Sequence, residues 1–268
     1  MTPFMKAIFV ALVVLLLGTL ADGKLVTKPI QYEQNGTKLQ GYLAYDDALS
    51  AKGKLPGVLV VHEWWGLNDY IKGRTDQLAK MGYAGFAVDM YGDGQTTTDP
   101  AKAKELTGPF HGGPLIVDRA KAGLDAFVKT GVVDETKVAA IGFCFGGAAC
   151  LTLAYSGAPV AGVVTFHGAL VPPQAGAAEK TKAKFLILHG AVDPLVGKEE
   201  VDGFTKAMND AKLDYEFIEY SGAIHAFTNP DADKIREASG LKGIGYNAEA
   251  AKRSWDRMQV FFKEIFGA

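Results

Sequence analysis

A cysteine with a glycine two residues away on either side is the side chain in this sequence best placed to do chemistry. Cys144 stands in Gly142-Phe143-Cys144-Phe145-Gly146-Gly147. The apolar run Val138 to Ile141 reads as a buried strand, and the small residues after Cys144 lead into a helical pattern through Tyr155. The thiol therefore falls at a tight strand-to-helix turn. Such a turn forces its central residue into strained backbone angles, and the neighbours must be small for the chain to fold back. The helix beyond it aims unpaired N–H groups and its positive dipole end at the sulfur. That field stabilises a thiolate, and also the anion formed when the thiolate attacks a carbonyl. The plainer alternative is a buried, inert cysteine after a core strand; the flanking glycines argue for a nucleophile.

A thiol of pKa about 8.5 is only partly ionised at neutral pH, so it needs a base or a positive environment. His225 and Asp193 are the candidates, each just past an apolar run, Tyr215 to Tyr220 and Lys184 to His189. The chain order nucleophile, acid, histidine is the one an α/β-hydrolase requires. His225 would take the thiol proton and later hand it to the leaving alcohol. Asp193 would hold the imidazole in the correct tautomer and stabilise its cation; it could also serve as a turn cap before Pro194. The Phe145 N–H, next after the nucleophile, is expected to donate to an oxyanion, with the Trp64 N–H as the second donor. His62, His167 and His189 also fall at strand ends, where hydrogen-bonded boundary residues are commoner than catalysts. His111 reads as loop surface. No HxxEH-type or CxxC spacing occurs, so no metal and no other cofactor is expected.

These residues need a scaffold, and the periodicity describes one. Two alternating runs, 29–34 and 37–45, flank Asn35-Gly36, the signature of a hairpin with a two-residue turn. Buried strands are expected at about 56–62, 85–88, 138–143, 160–166, 184–189 and 215–220. Helices are expected at about 68–80, 100–106, 115–129, 198–212 and 248–266, with a polar loop at 46–54. Strands alternating with helices after one hairpin imply a mostly parallel sheet covered on both faces. In such sheets the chemistry sits at the carboxyl ends of the strands, where all the candidates lie. No repeat or linker divides residues 22–268, which reads as one α/β domain.

Composition narrows the function class. The 28 basic and 30 acidic residues nearly balance, and no basic cluster interleaves with aromatics, so nucleic-acid binding is disfavoured. Residues 1–21 read as a signal peptide: Lys6 in the n-region, an apolar stretch from Ala7 to Leu17, and Thr19-Leu20-Ala21 at the cleavage site. The apolar stretch is far short of the about 20 residues that span a bilayer. The sequence is therefore expected to be exported. Cys144 and Cys150 would stand about 9 Å apart along a helix, beyond the roughly 7 Å limit of a disulfide. Cys150 is expected to pack in the core and leave Cys144 as a working thiol.

The Cys144 elbow and the Asp193 and His225 strand ends resemble the dienelactone hydrolases, and the resemblance covers essentially all of the chain past the leader. It implies an α/β-hydrolase fold and a Cys-His-Asp triad of Cys144, His225 and Asp193. It also implies that Glu63, in His62-Glu63-Trp64-Trp65-Gly66, contacts the resting thiol and is displaced when substrate ionises it. In one respect the sequence departs. Family members that open dienelactones hold the substrate carboxylate with arginines in two loops. Here those loops read Tyr91-Gly92-Asp93-Gly94 and His225-Ala226-Phe227-Thr228-Asn229-Pro230, so neutral substrates are expected, unless Arg74 or Arg236 approaches from elsewhere. The expected activity is cleavage of carboxylic esters or lactones through an acyl-cysteine. A thiol-redox protein and a non-catalytic binding member of the fold are the alternatives.

Overall fold

Asn35 and Gly36, with φ of 48° and 78°, turn the chain back on itself and pair β1 (Leu25–Gln34) with β2 (Thr37–Asp46). Both residues of such a turn need positive φ, which asparagine and glycine adopt most readily. The computed structural model describes residues 23–267; the leader expected at residues 1–21 lies outside them.

Six further strands follow: β3 (Leu55–Val61), β4 (Ala84–Val88), β5 (Val133–Phe143), β6 (Gly162–Phe166), β7 (Lys184–Gly190) and β8 (Tyr215–Tyr220). All eight form one sheet in the order β1-β2-β4-β3-β5-β6-β7-β8. β2 joins β4 antiparallel, and β3 to β8 run parallel. The helices are α1 (Asp47–Ser50), α2 (Asp69–Lys80), α3 (Pro100–Thr107), α4 (Leu115–Lys129), α5 (Phe145–Tyr155), α6 (Ala177–Lys180), α7 (Lys198–Asp210), α8 (Ala232–Ser239) and α9 (Ala248–Phe266). None among the described residues is long and apolar enough to cross a membrane.

The parallel strands are apolar on both sides because both sides are covered. Val58, Val60, Ile141 and Phe143 face α2 and α9 through Ile71, Leu78, Met258 and Phe262. Leu59, Val61, Val138 and Ala140 face the other layer, where Leu124 and Phe127 of α4 and Leu153 of α5 pack. α5 is buried along almost its whole length, as a helix apolar on every side must be.

Two differences from the sequence reading have a clear physical reason. β5 begins at Val133, because the pairing with β3 shifts register between Pro56 and Gly57. The residues taken up in that irregularity, Glu135 to Lys137, are exposed, so hydrophobicity could not mark them as strand. The stretch expected as polar loop, 46–54, contains the single turn of α1, which the Asp46 carboxylate caps at Leu49 N–H (2.9 Å).

The chain crosses from β3 to β4 in one direction and then returns past β3 to lay down β5. Loops leaving β3 and β5 therefore diverge, opening a crevice at their carboxyl ends. Glu63 and Trp64 follow β3; Cys144 follows β5.

Candidate active site

Cys144 is the hinge between β5 and α5, with φ 52° and ψ −116°, a conformation that costs on the order of 1–3 kcal/mol in a residue with a side chain. Its surroundings hold it there. The Cys144 N–H donates to Phe166 O at the end of β6 (3.2 Å), and its carbonyl accepts from Ala169 N–H (3.1 Å). The two glycines have no room for a side chain. A Cβ at Gly142 would stand 2.0 Å from the Gly146 carbonyl oxygen, and one at Gly146 would stand 2.2 Å from that of Val61. The thiol is half-buried, whereas Cys150, one and a half turns along α5, is fully buried, and burial pushes its thiol well up. Both cysteines are free.

His225 and Asp193 meet. The Nδ1–H of His225 donates to Asp193 Oδ2 at 2.8 Å, and both side chains are buried. The two sequence readings of Asp193 divide its oxygens: while Oδ2 takes the imidazole, Oδ1 accepts from Leu195 and Val196 N–H (2.8 and 3.3 Å) and caps the turn. Burial opposes a charge on His225. The nearby Cys144 sulfur and the hydrogen-bonded Asp193 carboxylate outweigh it and raise the imidazole. The sulfur, imidazole and carboxylate thus act on one another. Beneath His225, Gly245 N–H donates to its carbonyl (3.0 Å), and Ala226, Ala232 and Ile244 form a small apolar cluster. The segment 231–246 buttresses the histidine loop and lines no part of the cleft described below.

The loop after β3 lies against the elbow. Among the described residues, neither Phe145 N–H nor Trp64 N–H has a protein acceptor. The Trp64 carbonyl, by contrast, accepts from the Tyr91 hydroxyl (2.8 Å), and the loop bearing Tyr91 is gathered by buried Asp89. That carboxylate takes N–H groups from Tyr91 and Gly92 on Oδ1 (3.0 and 2.9 Å) and from Gln40 and Gly94 on Oδ2 (3.1 and 2.9 Å). By composition Asp89 and Tyr91 read only as loop, although an acidic residue ahead of glycines and tight turns is a detectable signal.

Glu63 is 2% exposed. Its Oε2 accepts from Asn229 Nδ2 at 2.8 Å. Burial raises its carboxyl to about 7, against the lowering effects of Asn229, His225 and Arg74. Asn229 has its other amide atom occupied, since Oδ1 accepts from Asp231 N–H (3.0 Å). Asn229 as the partner of Glu63 had no local signal in the sequence, the two being brought together from loops after β3 and β8.

The remaining strand-end histidines have other partners. His62 donates from Nδ1 to the Glu63 carbonyl and accepts Met90 N–H on Nε2 (3.3 Å); burial lowers it to about 4. His167 Nε2 pairs with the Thr228 hydroxyl (2.7 Å), and burial holds it well below its usual range. Its ring lies edge-on to that of His225, centroids 5.3 Å apart. His189 is also lowered by burial.

Cys144 opens onto a cleft of about 910 Å3. Its walls come from the segment running from α3 into α4, from one face of α5, and from the loop between β6 and α6. Neither arginine named from the sequence lines it. Arg74 donates to the Thr228 carbonyl (2.6 Å) and lies over the Trp255 and Tyr70 rings. Arg236 donates to Ile244 O (3.0 Å) and pairs with Asp233 (2.7 Å). Asp93 is exposed and outside the cleft. Lys104 and Lys180, which the sequence reading missed, do line it, both exposed at its edge. Among the described residues no group of three or more His, Cys, Asp or Glu could hold a metal ion.

Known proteins resemble this chain in sequence and fold. The profile of the dienelactone hydrolase family matches residues 39–266. Protein usf of Aquifex pyrophilus is 31% identical over 245 residues, 88% of this chain and 97% of its own length. A dienelactone hydrolase-like promiscuous phosphotriesterase from metagenomic libraries is 39% identical and superposes with a TM-score of 0.85, over 91% of this chain and 100% of its own. A second solved structure, m3DLH, is 38% identical with the same TM-score and the same coverage of both chains. The chain belongs to the dienelactone hydrolase family, hydrolases of ester and lactone bonds on the α/β-hydrolase fold.

Proposed function

We propose that this chain is an exported hydrolase that cleaves neutral carboxylic esters or lactones through an acyl-cysteine, with Cys144 as nucleophile, His225 as acid and base, and Asp193 as the residue that orients it. The observation carrying this reading is the buried bond of 2.8 Å between His225 and Asp193 Oδ2, at the same carboxyl edge of the sheet as the strained Cys144 elbow.

The steps follow from the electrostatics. As substrate enters, the Cys144 proton passes to His225, and Asp193 stabilises the imidazolium that forms. The sulfur attacks the carbonyl carbon, the carbonyl π-pair moves onto oxygen, and that oxyanion takes the Phe145 and Trp64 N–H groups. As the C–O bond to the alcohol breaks, His225 gives its proton to the departing oxygen. The acyl-thioester that remains has no charge on sulfur. Having given its proton to the alcohol, the imidazole is neutral. It can accept a proton from water as that water attacks the thioester, after which the sulfur leaves as thiolate and the proton stays on His225. Glu63 lies beside the oxyanion loop, held by Asn229, and is assigned to modulating the thiol. Export is supported by the leader-like residues 1–21.

Cys150 gives a redox function no resolving thiol, since it is fully buried. The test is a screen of chromogenic esters and lactones on the mature protein, wild type against Cys144→Ala. Turnover in the wild type that vanishes in the variant supports the reading; equal turnover in both would overturn it. A phosphotriester belongs in the screen, because the metagenomic relative is named for that activity.

A further inference from the structure

Substrate length is written into the wall of the cleft. Phe145, Ala148, Thr152, Tyr155 and Ser156 all line it, and spacings of three and four residues place them on one face of α5. The cleft therefore starts at Cys144, at the N-terminus of that helix, and follows it to the C-terminus. At 1.5 Å per residue this is a trench of about 16 Å, and an extended chain advancing about 1.2 Å per bond would need about a dozen atoms to fill it. The opposite walls are mostly apolar, with Phe110 and Val117 on one side and Val171 on the other, interrupted by Thr107, His111 and Gln174.

His225 does not line this trench. The departing oxygen must lie within hydrogen-bonding reach of the imidazole to receive its proton, so the alcohol half of an ester lies on the histidine side. The half that stays on sulfur takes the other direction. We propose that the trench along α5 is an acyl-chain site, and that the preferred substrates are esters of medium- to long-chain apolar acids. This rests on the assignment of Cys144 and His225 above. Lys104 and Lys180 keep their charges at the solvent edge and leave the floor of the trench apolar.

The test is a p-nitrophenyl ester series with acyl chains of two, four, eight and twelve carbons, run beside acetates of alcohols of the same lengths. For each methylene that leaves water kcat/KM should rise roughly two- to fourfold in the acyl series, and the alcohol series should stay nearly flat. Thr152→Trp and Val171→Trp block the trench from opposite walls, so misfolding of one, checked by circular dichroism, leaves the other. Either should lower the ratio of dodecanoyl to acetyl kcat/KM by about tenfold or more, since several methylenes lose their site. A wild type that hydrolyses no ester in either series sinks the hydrolase reading itself. Hydrolysis of acetyl esters with no gain along the acyl series, a gain along the alcohol series, or an unchanged ratio in the folded tryptophan variant would each overturn the acyl-site proposal alone.

Discussion

Asn229 Nδ2 holds Glu63 Oε2 at 2.8 Å, joining the loop after β8 to the loop after β3. The donor orientation is set, because Asn229 Oδ1 already accepts Asp231 N–H. A neutral amide can steady this carboxylate but cannot cancel its charge, and burial has raised the carboxyl to about 7.

A carboxyl raised in the folded state is most favourable to folding when protonated. Its contribution is fully present below the unfolded value of about 4.5 and is lost as pH rises through about 7. Glu63→Gln should therefore gain on the wild type as pH rises from 5 to 8, by at most about 3 kcal/mol, with Asn229 still able to donate to the new amide oxygen. Urea unfolding at several pH values measures the difference. Subtraction matters because lowered His62 and His167 run the opposite way, losing stability as pH falls below about 6.5. A difference independent of pH would show that the Glu63 carboxyl is not raised in the fold.

The two thiols should separate cleanly. Cys144→Ala is expected to abolish hydrolysis and leave the far-UV dichroism unchanged, since the side chain is half-buried and opens onto the cleft. Cys150→Ala should retain activity and lose about 1 kcal/mol of stability from removal of one buried sulfur. Iodoacetamide should label only Cys144 in the native protein, which peptide mass mapping reads directly.

His225→Ala should lower kcat by about three decades or more, by analogy with other hydrolase triads. It should also slow alkylation of Cys144 at pH 7, since the thiolate would lose its cationic partner. The pH profile of wild-type turnover will report the coupled sulfur–imidazole pair and neither group alone. A comparable loss of kcat on His62→Ala or His167→Ala with His225→Ala active would falsify the assignment of the base.

Charge selection follows from where the cations are. Arg74 and Arg236 are engaged away from the cleft, and Asn229 stands where a family arginine is expected. A carboxylate beside the scissile bond would then be desolvated with no partner, at a cost of several kcal/mol. Short neutral esters should show higher kcat/KM than analogues with a carboxylate next to the carbonyl, at low and high salt alike, because screening barely reaches a buried charge. Asp93→Arg, exposed and outside the cleft, should leave that ratio unchanged.

Asp89 should matter more than a loop residue usually does. Asp89→Ala removes the acceptor of four N–H groups and is expected to cost about 3 kcal/mol or more, with a fall in kcat as Tyr91 loosens its grip on the Trp64 carbonyl. Asp89→Asn keeps one acceptor oxygen and should lie between. Thermal unfolding and ester turnover on both variants check the order.

Much of this molecule was legible along the chain because the signals were local. Alternating runs around Asn35-Gly36 specified the hairpin, apolar runs too uniform for a one-sided sheet implied cover on both faces, and glycines around Cys144 marked a turn that tolerates no Cβ. Chain order also put Cys144, Asp193 and His225 at strand ends. What only the tertiary structure decided were relationships across long separations and partitions within one side chain. The sequence offered Asp193 as either cap or histidine partner; folding brings His225 to one oxygen and leaves the turn on the other. Packing of Ile244 and Ala232 against Ala226 makes the segment 231–246 a support for the histidine loop, a role no local pattern announces. The Asn229–Glu63 bond and the trench along α5 join residues from loops and helices that no periodicity connects. Periodicity reports which face of an element is buried, and only the packed fold decides what each buried face meets.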